Sequence, residues 1–152
     1  MVLGTRRAFL VLGTALLLAA CEPDSAVSKT ITVYKDPSCG CCTGWVEHLK
    51  AAGFTTQIVE TTDRSDLQSR LGLTPEMASC HTGQVEHYLI EGHVPAADVQ
   101  RLLKERPDAR GLVVPGMPIG SPGMEMPDGS SEPYDVLLIK ADGTTSVFAH
   151  HK

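Results

Sequence analysis

The residues that decide the fold are 30–42, TITVYKDPSCGCC. Ile31 and Val33 alternate with polar neighbours in the first six of them, which is the period of a half-buried β-strand. The Asp-Pro-Ser that follows predicts a turn. The three cysteines of the stretch are Cys39, Cys41 and Cys42. A strand, a turn and a cluster of thiols are therefore expected to follow one another directly.

A helix is predicted immediately after these cysteines. Trp45, Val46 and Leu49 share one face of it, and Gly53 ends it. Cys39 would lie at the start of this helix, where free N–H groups and the helix dipole favour an anion. We therefore expect the pKa of the Cys39 thiol to be lowered, which would make it a better nucleophile and a better metal ligand.

The remainder of the chain alternates between strand and helix patterns. The later elements are a strand over 54–61, a helix over Ser65–Leu71 capped by Asp63 or Ser65, a strand over 85–90, a helix that begins at Pro95 and ends at Arg106-Pro107, and a hairpin of strands 134–140 and 144–148. This order predicts an α/β, thioredoxin-like fold with a mixed sheet, in a single domain over residues 30–152.

The first twenty residues predict a cleaved export signal. Arg6 and Arg7 precede an apolar stretch over 8–20 that is too short to remain as a membrane-spanning helix. The arginine pair also fits the twin-arginine signal, which exports folded cargo, although such pairs are at least as common in ordinary signals. The protein is therefore expected in the periplasm or cell envelope.

Cys21 decides how the exported domain would be held there. The signal ends in Leu-Ala-Ala-Cys, which is typical of a bacterial lipoprotein and makes Cys21 the predicted lipidation site. Residues 21–29 would then be a polar tether between a lipid anchor in the membrane and the domain. The alternative is cleavage near Ala26, which would release a soluble, secreted protein.

The charge of the exported chain argues against one class of partner. Without residues 1–20, 11 of the 13 basic residues remain against 18 acidic residues, a formal charge of −7. No basic stripe is visible in the sequence. We therefore expect no binding to nucleic acid.

The thiol cluster allows two kinds of chemistry. Cys39 and Cys42 have the CxxC spacing of redox enzymes, whereas Cys39 and Cys41 have a CxC spacing found in thiolate metal sites. The additional thiol of Cys41 would compete with a two-cysteine redox reaction, but it suits a soft ion that bridging thiolates can share. Copper(I), with more than one ion bound, is therefore favoured over zinc, although the sulfur count also fits zinc.

A second loop offers further ligands. Cys80 is interpreted either as a ligand of the same cluster or as the disulfide partner of a cysteine in the turn. His81 beside it is interpreted as a metal ligand or as an exposed loop residue. The other histidines are expected to be mainly surface residues, with a minor ligand role weighed for His87 and His93 and mobility expected at the C-terminus. They are His48, His87, His93, His150 and His151.

Residues 114–129 are rich in Pro and Gly and contain Met117, Met124 and Met126. This composition predicts a long loop without regular structure, and loops of that length in a compact domain are usually functional. Thioethers are soft donors, so Met117 and Met124 are candidate copper ligands. The alternative is that the methionines only pack the loop onto the core.

Five segments of the chain resemble the CopG-type bacterial copper-resistance proteins, a metal-binding family long labelled as of unknown function. They are residues 33–42, VYKDPSCGCC; 45–49, WVEHL; 79–82, SCHT; 91–96, EGHVPA; and 114–125, VPGMPIGSPGME. The resemblance implies a thioredoxin-like fold, a copper cluster in the cell envelope and a role in copper tolerance. By position, it implies Cys39, Cys41, Cys42 and Cys80 as cluster thiolates. The matching motifs also include His81, Met117 and Met124.

Three functions follow from these patterns. The first is an envelope protein that holds Cu(I) in a cysteine cluster and exchanges it with a copper-export or copper-chaperone protein. The second is an enzyme, a thiol–disulfide oxidoreductase or copper redox protein that uses the turn of Cys39, Cys41 and Cys42. The third is a structural zinc module, which would unfold when a chelator removes the metal.

Overall fold

The computed structural model describes residues 30–152, and the predicted export signal, Cys21 and the tether lie outside the described residues. The strands are β1 (Thr30–Lys35), β2 (Thr55–Glu60), β3 (His81–Val85), β4 (Tyr88–Glu91), β5 (Ala109–Val113), β6 (Tyr134–Lys140) and β7 (Thr145–His151). The α-helices are α1 (Gly40–Ala51), α2 (Ser65–Leu71) and α3 (Ala96–Glu105). A short 3₁₀ turn, Pro75–Met77, precedes β3. No helix within residues 30–152 is long and apolar enough to cross a membrane.

The seven strands form one mixed sheet in the order β2-β1-β3-β4-β5-β6-β7. In its first four strands, β1 and β2 are parallel, and β3 is antiparallel to both β1 and β4. This arrangement is the core of the thioredoxin fold, so the predicted mixed α/β domain is confirmed. The sheet then continues through β5, β6 and β7, which extend it beyond that core.

The helices cover the sheet from both sides. Helices α1 and α3 pack on one face, where Trp45, Leu49 and Leu102 are fully buried. Helix α2 packs on the other face, where Leu67 and Leu71 meet side chains of β4, β5 and β6. The three layers bury apolar residues of all three α-helices and of the inner strands β1, β3, β4, β5 and β6, and thereby stabilise the position of the first turn of α1.

Two sequence predictions about the strands need correction. The single strand expected over 85–90 is two strands, β3 and β4, joined by a tight turn in which Glu86 has a positive φ of 51°. Strand β5 was not predicted at all. The residues of β3, HTGQV, and of β5, ARGLV, lack the alternation of apolar and polar residues that identifies a half-buried strand, because both strands lie in the middle of the sheet.

The start of α2 also differs from the prediction. Arg64 occupies the N-cap position and no side chain caps the helix there. The Asp63 carboxylate instead accepts a hydrogen bond from the Ser65 backbone N–H (2.9 Å) in the turn before the helix. The other predicted helices agree closely with α1 and α3, and the predicted C-terminal hairpin agrees with β6 and β7.

The Pro- and Gly-rich loop folds back over the start of α1. Gly123, with φ of +87°, lies so close to this helix that an added Cβ would overlap the Cys41 carbonyl oxygen and approach Trp45 N to 2.7 Å. Only glycine combines this backbone conformation with this closeness. The loop therefore forms one wall of the region that contains the cysteines.

Candidate metal centre

The first turn of α1 presents the three clustered cysteines. Strand β1 ends at Lys35, and the Asp36 carboxylate accepts a hydrogen bond from Ser38 N (2.8 Å), which closes the turn before the helix. Cys39 is the N-cap residue, and its Sγ accepts a hydrogen bond from Cys42 N (3.3 Å). Cys39 and Cys42 form a disulfide, with their Cα atoms 5.4 Å apart. Cys39 does not titrate in this state, so its lowered thiol pKa stays a prediction for the reduced protein.

Cys80 lies directly against this turn. The Cys41 Sγ is 3.5 Å from the Cys39 Sγ and 3.6 Å from the Cys80 Sγ, and Cys41 and Cys80 are free thiols. The four sulfur atoms all lie within 4.8 Å of one another. The alternative that Cys80 forms a disulfide with the turn is therefore wrong for this state. Sulfur atoms from two separate loops converge, which is the arrangement that a thiolate cluster needs.

A buried carboxylate fixes the loop that carries Cys80. Glu91 at the end of β4 is fully buried and accepts hydrogen bonds from Ser79 N (2.8 Å), from the Gln68 side-chain amide (2.9 Å) and from the Thr82 hydroxyl. Arg64 donates to the Ser79 carbonyl oxygen (2.9 Å). Burial raises the pKa of Glu91, and these donors act in the opposite direction. Arg64 at the N-cap of α2 and Glu91 of β4 thus hold the C=O and the N–H group of Ser79, the residue directly before Cys80.

Two histidines complete the surroundings of Cys80. The Cys80 Sγ is 3.3 Å from His81 Nδ1 and 3.2 Å from His93 Nε2, and both rings are fully buried. His81 was a candidate ligand from the sequence, and it is buried rather than an exposed loop residue. His93 was given only a minor role. A correct prediction of the β3–β4 hairpin would have indicated the role of His93, because this hairpin places His81 and His93 at the same end of the paired strands.

Burial determines the protonation of these groups. Burial and, to a smaller extent, the neighbouring Cys41 thiol together raise the pKa of the Cys80 thiol to about 12. Burial and, to a smaller extent, the neighbouring His93 together lower the pKa of His81 to about 3, and burial lowers the pKa of His93. Near neutral pH both imidazole rings are therefore uncharged, with a nitrogen lone pair free to bind a metal ion, and Cys80 is a neutral thiol. A bound cation would favour the thiolate and reverse the effect of burial on Cys80.

The other histidines have structural partners. His48 is half-buried, and its Nε2 accepts a hydrogen bond from Ala96 N (3.0 Å) at the start of α3. His150 and His151 belong to β7 rather than to a mobile terminus, and they pair with Asp135 (2.6 Å) and Asp98 (2.7 Å). His87 is exposed, and its ring lies 3.9 Å from that of Tyr88, between ring centroids. None of these histidines belongs to the ligand groups around Cys80 in the described residues.

The methionine loop borders the site. The Ser79 hydroxyl donates a hydrogen bond to the Gly116 carbonyl oxygen, which places Met117 one residue away from a direct contact with the Cys80 loop. Met117 is exposed, and Met124 is half-buried beside Gly123. Copper ligation by Met117 or Met124 stays a prediction.

Comparison with known proteins identifies the family. A family model described as a protein of unknown function, DUF411, matches residues 77–124, which include Cys80, His81 and His93. A solved structure titled copper resistance protein CopG, form 1, is 47% identical, with 80% of this chain and 96% of that chain covered and a TM-score of 0.74. A second, titled form 2, is 46% identical, with coverage of 81% and 98% and a TM-score of 0.75. The chain belongs to the CopG family. No curated protein sequence matches it.

Membership of the CopG family agrees with the predicted resemblance and with the geometry of the site. The two CopG structures are named for copper resistance. In this CopG-family protein, the residues that offer metal-ligating atoms lie together at the N-terminal end of α1. The site therefore occupies the position where thioredoxin-like folds present their reactive cysteines.

Proposed function

We propose that this protein binds Cu(I) in the cell envelope through a cluster of four cysteine thiolates and thereby contributes to copper resistance. The observation that supports it most strongly is the convergence of the sulfur atoms of Cys39, Cys41, Cys42 and Cys80 within 4.8 Å. Sulfur atoms this close can bridge several soft ions, so we expect more than one copper per chain.

The donor set favours copper over the alternative metals. Calcium and magnesium require oxygen ligands, and only sulfur and imidazole nitrogen atoms converge in the two ligand groups of the described residues. Zinc accepts four thiolates but prefers a fixed tetrahedron, and three of these thiols come from one helical turn. The names of the solved CopG relatives also support copper.

Formation of the four-thiolate cluster requires reduction of the Cys39–Cys42 disulfide. A dithiol reductant would supply two electrons and two protons and would itself become a disulfide, leaving four cysteine thiols in the turn and the Cys80 loop. Each thiol that binds copper then releases its proton. We therefore expect Cu(I) capacity to be highest in the reduced protein.

The proposed location depends on the residues before the described domain. The export signal over 1–20 and a lipid on Cys21 would hold the domain at a membrane surface of the periplasm or cell envelope. There the protein would keep Cu(I) away from other proteins and exchange it with a copper-export or copper-chaperone protein. Mass spectrometry of the N-terminal peptide from the membrane fraction tests this location, since an unmodified N-terminus near Ala26 would contradict it.

Replacement of Cys41 by serine is expected to remove most of the Cu(I) capacity. Cys41 contributes the sulfur atom that lies between the Cys39 sulfur and the Cys80 sulfur, so its loss separates the turn from the second loop. The measurement is copper per chain by elemental analysis after anaerobic reduction and loading with Cu(I). Thr43→Ser in the same helical turn is the matched control and should bind as much copper as the parent.

Two outcomes would contradict the copper proposal. The first is unchanged copper stoichiometry in the Cys41→Ser variant. The second is a protein that is isolated with a single zinc ion and unfolds when a chelator removes it, which would identify a structural zinc module.

The Cys39–Cys42 disulfide supports a second candidate function, a thiol–disulfide oxidoreductase. It lies at the N-terminus of α1, and Cys39 is its more exposed member. A substrate thiolate would attack the Cys39 sulfur and release the Cys42 thiolate. A second substrate thiol would then resolve the mixed disulfide, which oxidises the substrate and reduces the pair.

The two functions separate in a comparison of single variants. If the protein is an oxidoreductase, the reduced form should reduce insulin disulfides, Cys39→Ser should abolish that activity, and Cys41→Ser should retain it. If the parent protein shows no insulin reduction above the Cys39→Ser background, the oxidoreductase proposal fails, and the copper proposal does not depend on that result.

A further inference from the structure

The methionine loop, which spans residues 114–133 between β5 and β6, exposes several large apolar side chains. Six such side chains are exposed within residues 30–152, and three of the six belong to this loop. The three are Met117, Ile119 and Met126, with exposed fractions of 51%, 39% and 43%. The other three lie on the edge strands of the sheet and are Ile58, Val59 and Val147. Single exposed apolar residues are ordinary, but a group of them on one loop is the pattern of an interaction surface.

Hydrogen bonds within the methionine loop hold these side chains in place. The Gly120 N–H donates to the Met124 carbonyl oxygen (2.9 Å), so Ile119 and Met126 lie on the two arms of one turn. The Ile119 N–H donates to the Glu132 carboxylate (3.0 Å), and the Glu132 N–H donates to the Ile119 carbonyl oxygen (3.0 Å). The exposed apolar groups are therefore a fixed feature of the folded protein. A partner that binds them has little chain to order, which favours binding.

The methionine loop is also acidic. It contains Glu125, Asp128 and Glu132 and no Lys or Arg. The carboxylates of Glu125 and Asp128 accept hydrogen bonds from Gly123 N (2.9 Å) and Ser130 N (3.0 Å), which stabilise the loop but leave the negative charges. None of the three acidic residues forms an ion pair with another side chain of the described domain. The surface therefore combines apolar groups with uncompensated negative charge, and its electrostatic complement is a basic surface.

The methionine loop borders the metal centre. The Gly116 carbonyl oxygen accepts a hydrogen bond from the Ser79 hydroxyl, next to Cys80. The Pro122 carbonyl oxygen lies 2.9 Å from His93 Nδ1, and Gly123 lies against the first turn of α1. A protein bound to the outer side of this loop would therefore lie close to a metal ion held by the cysteines.

We propose that the methionine loop is the docking surface for the protein that exchanges copper with this site, and that this partner presents Lys or Arg side chains around an apolar centre. Ile119 and Met126 would pack against the apolar centre, and Glu125, Asp128 and Glu132 would face the surrounding cations. The inference deepens the proposed copper function, on which it rests for the identity of the exchanged ion. A membrane surface is less favourable, because anionic lipid headgroups repel the three carboxylates.

A pair of synthetic helical peptides tests the chemistry of this surface. Both peptides carry leucine and methionine on one face, and their polar positions are all lysine in one peptide and all glutamate in the other. Binding to the reduced, copper-free protein is measured by fluorescence anisotropy of the labelled peptide and mapped by amide NMR shifts. We expect the lysine peptide to bind, to shift the signals of residues 114–133 and to weaken as salt is added, and we expect the glutamate peptide not to bind.

Variants of the protein identify the residues that carry the binding. Ile119→Ser combined with Met126→Ser should weaken binding of the lysine peptide at least about 10-fold, as the loss of central apolar contacts does. Asp128→Asn keeps an acceptor for the Ser130 N–H but removes one charge, so it should cause a smaller loss that disappears at high salt. Ile58→Ser and Val147→Ser are the matched controls. Their exposed fractions are 45% and 48%, they lie on the two edge strands, and both variants should bind like the parent.

The docking surface is overturned if the glutamate peptide binds as tightly as the lysine peptide, if the NMR shifts of the parent map to β2 or β7, or if the double variant binds like the parent. Binding of the loop to phosphatidylglycerol vesicles in place of the lysine peptide would also overturn it and would identify a membrane contact.

The copper proposal and the docking surface fail separately. If Cu(I) capacity depends on Cys41 but the lysine peptide does not bind the loop, only the docking surface fails. If the lysine peptide binds as expected but Cys41→Ser keeps full Cu(I) capacity, the proposed cluster fails and the docking surface stands.

Discussion

Cys80→Ser is expected to lose most of the Cu(I) capacity of the reduced protein. The Cys80 sulfur is the one ligand atom that the thiol group and the histidine group share, since it contacts Cys41 on one side and His81 and His93 on the other. A serine hydroxyl keeps the shape of the side chain but is a poor ligand for Cu(I) and does not ionise near neutral pH. Substitution at this position should therefore have the largest effect on metal binding of any single change in the site.

The measurement is copper per chain, determined after the reduced variant has been loaded with Cu(I). We expect the copper content to fall to less than half of the parent value. Thr43→Ser is the matched control and should bind as much copper as the parent.

A Cys80→Ser variant that binds as much Cu(I) as the parent would contradict the role of Cys80 in the cluster. Serine at this position should be well tolerated structurally, because Cys80 is only half-buried and its backbone neighbours are held by Glu91 and Arg64 rather than by its own side chain. An unchanged unfolding midpoint in urea would show that the loss of metal binding is not a loss of folding.

Gly123→Ala is expected to have the largest effect on stability and to open the site. A Cβ at this position would overlap the Cys41 carbonyl oxygen and lie 2.7 Å from Trp45 N, and both are backbone atoms that cannot rotate away. The positive φ of +87° adds strain for any side chain. Together these effects should lower the free energy of unfolding by about 3 kcal/mol or more, or force the loop away from α1.

Gly129→Ala is the matched control. Gly129 lies in the same loop with a positive φ of +73°, but an added Cβ would meet nothing within 4 Å. It should cost only about 1 kcal/mol, the effect of backbone conformation alone. Urea unfolding measures both variants, and the rate of alkylation of Cys41 and Cys80 reports whether the loop has moved. Equal effects of the two substitutions would show that the contact between the loop and α1 is unimportant.

Local sequence patterns determined a large part of this structure. The strand of residues 30–35, the helix after the cysteines and the C-terminal hairpin were all predictable, because the apolar alternation, the helical spacing and the turn residues are visible within each segment. The family resemblance was also visible in short motifs and is confirmed by the CopG structures. Strands β3 and β5 were not predictable in this way, since central strands need no alternation of apolar and polar residues.

The sequence by itself determined that three thiols lie in one turn at the start of a helix, because residues this close in sequence cannot separate. Only the tertiary structure decided which groups meet them. Cys80 is 39 residues from Cys41 along the chain, and His93 is 13 residues from Cys80. Their contacts in space depend on the hairpin of β3 and β4 and on the position of β3 beside β1. Strand pairing of this kind is a property of the whole sheet, and a change of register by one residue would turn each of these side chains to the opposite face.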